Sequence, residues 1–231
     1  CNGEILESTG VRLPVYTYQF RRAAHLDSTN RGRPVIREGL VIELEGGRAL
    51  AVQDGVGSAR VRIPLVSLGK DSSKPKGLPV SDYGIEVEAV WMPGVKHVPP
   101  PSQDRIHFTF LGTVEGKPKS VPAYYQLTAQ VGHPLRIAKW RAGKPYTQIA
   151  ASEQTLKPVH RPVRLRARVG PAGLLSISLL DGIELSLRDT DLTRLHSLEM
   201  QIVNGYDASA QWVSELTIFR VGTARELVEG R

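Results

Sequence analysis

Polar side chains capable of ligand chemistry recur at every second position in several segments of this 231-residue chain. The polar members of these alternating segments are Arg105 and His107, Tyr124 and Gln126, and Arg164, Arg166 and Arg168. Guanidinium groups bind carboxylate and sulfate through paired hydrogen bonds, and a tyrosine ring offers a flat surface for sugar stacking. If these strands share one sheet, we expect all seven residues on one face, suited to an acidic sugar polymer. The alternative is an ordinary solvated face, with Glu86 and Glu88 pairing with arginines across strands.

The three tryptophans have different expected roles. Trp91 is in phase with the apolar residues of its segment, which predicts a place in the core. Trp140 lies near the end of an alternating segment, between Lys139 and Arg141, and is the candidate for sugar stacking. The pattern around Trp212 favours neither role.

Acidic residues near the C-terminal third could hold calcium. Asp189, Asp191 and Asp207 are oxygen donors of the kind that calcium prefers, but their spacing matches no dedicated calcium loop. Asp189 or Thr190 could instead cap a short helix over Asp189–His196. The six histidines lack zinc-ligand spacing. We therefore assign no metal site and no cofactor, with calcium as the open alternative.

Many short segments with period-two alternation are separated by clusters of Gly, Pro, Asp and Ser. They run from Val11–Phe20 to Trp212–Val221, and Asp181-Gly182 between two of them predicts a hairpin turn. This pattern predicts an all-β protein, a two-sheet antiparallel β-sandwich. Residues 11–231 are expected to form one domain, with residues 1–10 as a tether.

Three stretches carry a resemblance to a known superfamily. They are Gly47–Gly55 followed by Ala59–Pro64, then Ser81–Gly94, then Leu165–Gly182 followed by Met200–Val221. In this order they resemble the concanavalin A-like lectin/glucanase superfamily, in particular its laminin-G-like members. The resemblance implies a jelly-roll sandwich and a carbohydrate-binding role.

Alginate-lyase-like jelly rolls share that fold, and three segments are similar to their motifs. Arg33–Glu38, Arg105–His107 and Met200–Tyr206 look like the arginine strand, the Gln-x-His strand and the late tyrosine strand of those lyases. This likeness implies His107 and Tyr206 as base and acid, with Arg37 neutralising a uronate carboxylate. Val35 and Arg105 replace a glutamate and a glutamine of the motifs, which puts the carboxylate contacts in doubt.

The net charge of +7 and the isoelectric point near 9.7 favour an anionic partner. The basic residues are dispersed, and no nucleic-acid-binding motif is present, so we expect no nucleic-acid role. The only cysteine is Cys1, followed by a polar stretch, as in a mature bacterial lipoprotein. Cys1 is therefore a candidate lipidation site, implying an extracytoplasmic, membrane-anchored or secreted protein; the alternative is an arbitrary boundary.

Three functions follow from these observations. The first is a non-catalytic, extracytoplasmic module of adhesion type that binds an anionic polysaccharide. The second is a polysaccharide lyase, and the third is a structural protein of an envelope or particle. Because no lyase motif is intact, the sequence favours a protein that is not an enzyme.

Overall fold

The computed structural model describes residues 11–19, 35–37, 40–42, 51–52, 57–67, 76–80, 84–93, 104–116, 119–157, 161–180, 182–204 and 211–222. Seventeen strands lie in these ranges. They are β1 (Val11–Gln19), β2 (Val35–Arg37), β3 (Leu40–Ile42), β4 (Ala51–Val52), β5 (Gly57–Pro64), β6 (Val66–Ser67), β7 (Lys76–Pro79), β8 (Gly84–Met92), β9 (Arg105–Val114), β10 (Val121–Gln130), β11 (Pro134–Arg141), β12 (Thr147–Thr155), β13 (Val163–Val169), β14 (Leu174–Leu179), β15 (Glu184–Arg188), β16 (Arg194–Asn204) and β17 (Gln211–Gly222).

The strands form two antiparallel sheets, which confirms the predicted sandwich. The back sheet has the order β1-β17-β8-β13-β14-β15, with β4 also pairing with β17. The front sheet has the order β12-β11-β10-β9-β16-β7-β6-β3-β2, with β5 also pairing with β16. Within the described residues, none of the helical segments has the length and apolarity of a membrane span.

Apolar residues at alternate positions of both sheets meet in one core, as the period-two pattern predicts. In β9, Ile106, Phe108 and Phe110 are fully buried, and in β8 Trp91 is fully buried, which confirms its expected core position. Burying one large apolar side chain contributes about 1.5–3 kcal/mol. The residues between them therefore point outward, and in β9 these include Arg105 and His107.

The predicted hairpin at Gly182 is confirmed, because β14 and β15 pair in register and the glycine has φ of +117°. The short helix expected over Asp189–His196 is wrong. Asp189–Thr193 form an irregular connection, and β16 begins at Arg194. The physical reason is that Asp189 forms its hydrogen bonds with other segments of the chain instead of within a helix. Its backbone N–H donates to the Gly173 carbonyl at 2.9 Å, and its carboxylate accepts from Tyr125.

Candidate functional site on the front sheet

The outward surface of β9, β10 and β11, which we call the front face, gathers polar and aromatic side chains from three neighbouring strands. Cross-strand pairing places them in three rows: His107–Thr128–Arg136, Thr109–Gln126–Ala138 and Leu111–Tyr124–Trp140. Neighbouring strands lie about 4.8 Å apart, so members of one row are within side-chain reach of each other. The middle row holds the small, buried side chains of Thr109 and Ala138 beside Gln126, between a charged end and an aromatic end.

His107 lies at the charged end of the front face and is neutral at pH 7. Its Nδ1 is 2.8 Å from the hydroxyl oxygen of Thr128. Burial and, to a smaller extent, the positive charges of Arg105 and Arg136 together lower the pKa of His107 to about 4. A neutral imidazole in this position can accept a proton from a bound molecule.

Two guanidinium groups flank His107 without a carboxylate partner among the described residues. Arg136 donates from Nη2 to the side-chain oxygen of Gln130. Arg105 is half-buried, and its Nε has no hydrogen-bond partner in the described structure. By contrast, Arg62 on β5 is 3.0 Å from the carboxylate of Glu199 on β16. Half-buried guanidinium groups with unused donors favour an anionic ligand, because the ligand replaces the hydration they have lost.

The aromatic end of the front face consists of Tyr124, Trp140 and Tyr146, which we call the aromatic cluster. The rings of Tyr124 and Trp140 are stacked, with centroids 5.3 Å apart and an interplanar angle of 22°. Tyr146 is tilted against Tyr124 at 6.4 Å and is 52% exposed. The Tyr146 hydroxyl donates to Oε1 of Gln126 at 2.9 Å, so this cluster is connected to the middle of the front face. Two half-buried rings beside the exposed ring of Tyr146 are suited to the apolar face of a sugar.

Five residues expected to bind a ligand lie together on the front face: Arg105, His107, Tyr124, Gln126 and Trp140. Arg164, Arg166 and Arg168 do not, so the expectation that they share this face is wrong. They lie on β13, which pairs with β8 in the back sheet. There Arg166 donates to Oε1 of Glu88 at 2.6 Å and lies 3.4 Å from Glu86. Alternation gives the same pattern in either sheet and therefore could not distinguish them.

Two residues of the expected lyase set, Arg37 and His107, lie on strands that are not neighbours. Arg37 ends β2, and four strands of the front sheet separate β2 from β9, which carries His107. Tyr206 and Cys1 lie outside the described residues, as do the side chains of Arg37 and Trp212. The position of Arg37 argues against a shared role with His107, and a role for Tyr206 stays a prediction.

The acidic residues considered for calcium are occupied by a lysine. The ammonium group of Lys139 is 2.5 Å from Asp189 and 2.9 Å from Asp191. In the part of the chain that the structure describes, no three His, Cys, Asp or Glu residues are placed to share a metal ion. Asp207 lies outside that part. Because an ammonium already bridges the two carboxylates, they do not fit a calcium site.

Arg136, Thr128 and Tyr146 belong to the front face but were not singled out from the sequence. Arg136 and Trp140 occupy alternate positions of β11, so the phase that selected Trp140 could also have selected Arg136. Tyr146 precedes β12 and reaches the front face only because the chain turns at Gly143, whose φ is +79°. No periodic signal marks a residue placed by such a turn.

Comparisons with known proteins identify the fold. No protein-family model matches the sequence, and no curated protein matches it either. The structure of basic winged bean lectin with Tn-antigen matches with a TM-score of 0.50 and 11% identity, over 91% of this chain and 98% of the lectin. The carbohydrate recognition domain of Emp47p matches with a TM-score of 0.48 and 10% identity, over 88% and 87% of the two chains. Alginate lyase PA1167 from Pseudomonas aeruginosa matches with a TM-score of 0.37 and 16% identity, over 71% and 74%. At these identities the likeness concerns the fold alone, and this fold is the concanavalin A-like jelly roll expected from the sequence.

Proposed function

We propose that this protein binds an anionic polysaccharide on the front face. The observation that carries the proposal is the pair Arg105 and Arg136, two guanidinium groups that form no ion pair among the described residues and share the front face with the partly exposed aromatic cluster. The guanidinium groups would bind a carboxylate or sulfate group, and the aromatic rings would stack on a sugar ring.

Three further features bear separately on the charge, the length and the carbohydrate nature of the ligand. The net charge of +7 attracts polyanions at long range. Tyr124 and Thr128 are four residues apart on one strand, which corresponds to about 13 Å at the usual rise of a β-strand. This distance is longer than one sugar ring, so a polymer can contact both ends of the front face at once. Solved structures with this fold include a lectin in complex with a glycan antigen.

Calorimetric titration tests the proposal with hyaluronan, polygalacturonate, alginate and chondroitin sulfate, and with dextran as the neutral polymer. We expect at least one anionic polymer to bind, more weakly as salt is raised, because screening weakens exposed charge interactions. Arg136→Gln should lower that affinity about tenfold, the loss expected for a charge-assisted contact. Arg164→Gln, an exposed arginine on the back sheet, is the matched control and should change nothing. Absence of binding to all four anionic polymers at low salt contradicts the proposal.

A β-elimination activity is the second candidate, favoured by the neutral imidazole of His107 between two arginines. In a bound uronate, an arginine would hold the carboxylate, and His107 would accept the proton from the adjacent carbon. The bond to the next sugar's bridging oxygen would then break, leaving a carbon–carbon double bond in the product. Tyr146 would supply the proton to that oxygen, and partial burial and the neighbouring Tyr124 raise the pKa of its hydroxyl, so the hydroxyl still carries its proton at neutral pH.

Unsaturated products absorb in the ultraviolet, so incubation with each polymer that binds tests this candidate directly. We expect absorbance to rise with the native protein and to remain flat with His107→Gln. A flat trace for native protein with every bound polymer removes the elimination candidate and leaves the binding proposal intact.

Export and lipid attachment at Cys1 are proposed on sequence grounds alone, from the single cysteine and the polar residues that follow it. A structural role in an envelope or particle is the remaining alternative. Mass spectrometry of the protein isolated from its native cells tests lipidation, and sedimentation without added ligand tests assembly.

A further inference from the structure

A separate cavity of about 370 Å³ lies at the end of β10 and β11, beneath the turn that leads into β12. Its wall includes Tyr124 and Trp140 of the aromatic cluster. It also includes Lys139, Arg141 and Lys144, and the apolar residues Ala123, Pro145 and Leu192. The cavity therefore shares Tyr124 and Trp140 with the front face, and its positive charges add to those of Arg105 and Arg136.

The surplus charge of this cavity resides on Arg141 and Lys144. The charge of Lys139 is neutralised, because its ammonium donates to the carboxylates of Asp189 and Asp191. Of the described residues that line the cavity, Asp191 is the only acidic one. Neither Arg141 nor Lys144 forms an ion pair with any described residue. The two cations consequently face the cavity without a negative partner.

The turn fixes these two cations relative to each other. The backbone N–H of Lys144 donates to the Arg141 carbonyl at 2.9 Å, and the N–H of Ala142 donates to the Pro122 carbonyl at 2.9 Å. A hydrogen-bonded turn of this kind sets Arg141 and Lys144 on one side of a short loop. The backbone N–H groups of Ala142 and Lys144 thus have backbone partners, and the side chains of Arg141 and Lys144 retain donors for a ligand.

From this geometry we infer that the cavity is a second anionic subsite, which binds the carboxylate or sulfate group of another sugar in the polymer held by the front face. The inference rests on the proposed function, since the polymer must first occupy the front face. Trp140 and Tyr124 form the shared wall between the two subsites. The protein therefore requires an oligosaccharide with acidic groups on more than one sugar, and short fragments engage only the front face.

The test uses size-fractionated oligosaccharides, from disaccharide to dodecasaccharide, of whichever anionic polymer binds the native protein. With native protein, affinity should rise with length until both subsites are occupied and then level off. The double variant Arg141→Gln/Lys144→Gln should bind the disaccharide as native protein does, but lose about tenfold in affinity for the long fragments. Lys119→Gln/Lys157→Gln removes the same charge from exposed positions outside the cavity and should retain the length dependence.

The two proposals fail in different ways. If native protein binds no anionic polymer, both are overturned. If native protein binds and Arg136→Gln weakens binding, but the double variant keeps native affinity for long fragments, only the second subsite is overturned. An equal loss for short and long fragments likewise contradicts it, because it indicates a general charge effect. Thermal unfolding of the double variant at the native temperature excludes misfolding, and the single variant Lys144→Gln should show an intermediate loss.

Discussion

The Tyr146 hydroxyl donates a hydrogen bond to Oε1 of Gln126 at 2.9 Å, and Nε2 of Gln126 in turn donates to the Thr109 hydroxyl at 3.3 Å. This chain of contacts runs across the front face from the segment before β12, through β10, to β9. It connects the aromatic cluster to the row next to His107. The hydrogen bonds therefore fix the position of the Tyr146 ring relative to the row next to that of His107 and Thr128.

Replacing Tyr146 by Phe removes this hydroxyl and retains the ring. We expect affinity for the bound polymer to fall about threefold to tenfold, because Gln126 loses the donor that orients its amide. Tyr146 is exposed, so the free energy of unfolding should change by less than about 0.5 kcal/mol. Tyr124→Phe is the matched control, since no hydrogen bond of the Tyr124 hydroxyl is found among the described residues. Calorimetric titration of both variants measures the difference, and equal losses would contradict a specific role for the Tyr146 hydroxyl.

Replacing Trp140 by Ala removes one ring of the stacked pair. We expect a loss of about tenfold in affinity for the polymer, and a loss in the free energy of unfolding that exceeds the contribution of the missing aromatic pair, about 0.5–1.5 kcal/mol, because burial of the half-buried ring is lost as well. Trp140→Phe keeps a ring against Tyr124 and should recover most of both quantities. Titration and urea unfolding measure them separately. Full affinity in Trp140→Ala would show that sugars do not stack on this cluster.

The fold was accessible from the sequence because the alternation in β8, β9 and β10 is regular. Ile106, Phe108 and Phe110 are fully buried, whereas Arg105 and His107, which alternate with them, are half-buried on the other face of the strand. Trp91 illustrates the same principle, since its phase alone placed it in the core. Which face of a strand is buried follows from the alternation of residue types within that strand, so this information is present in a single sequence.

The composition of the candidate site was only partly accessible, because it depends on which strands are neighbours. The arginines of β13 alternate as those near His107 do, yet β13 pairs with β8 in the other sheet. Tyr146 reaches the front face because of a turn, and residues in turns do not follow the alternation by which strand residues are assigned to a face. Strand order and turn direction are set by the packing of the whole chain, so side-chain phase could identify Trp140 but not its neighbour Tyr146.

Stability should depend on pH through His107. Burial, together with Arg105 and Arg136, lowers its pKa to about 4, compared with 6.5 for an unperturbed histidine. Between these values the unfolded chain binds more protons than the folded protein, so the free energy of unfolding should fall as pH is lowered from about 6.5 to about 4. Above pH 6.5 this group should add no pH dependence. Urea unfolding at several pH values measures the slope.

His107→Gln should make that slope shallower without abolishing it. Burial also lowers the pKa values of His133 and His196, so these two groups contribute in the same direction. His133→Gln, on the nearby β10–β11 turn, is the comparison and should change the slope less than His107→Gln does, because the pKa of His107 is the one that is strongly lowered. A native slope in His107→Gln would mean that the imidazole is not held neutral by its surroundings.

The contact between Tyr125 and Asp189 should contribute to stability more than any exposed ion pair of the front sheet. Tyr125 is 1% exposed, and its hydroxyl donates to the Asp189 carboxylate, which also accepts from Lys139. Burial acts to raise the pKa of Asp189, but the hydrogen bonds from Lys139 and Tyr125 outweigh it and hold the pKa below its ordinary value.

Tyr125→Phe should therefore cost about 1.5–3 kcal/mol in the free energy of unfolding, the range for a hydrogen bond to a charged group. Lys144→Met, a change at an exposed position of the β11–β12 turn, is the control and should cost less than about 0.5 kcal/mol. Urea unfolding at pH 7 measures both, and a Tyr125→Phe protein as stable as this control would mean that the connection Asp189–Thr193 is held by its backbone contacts alone.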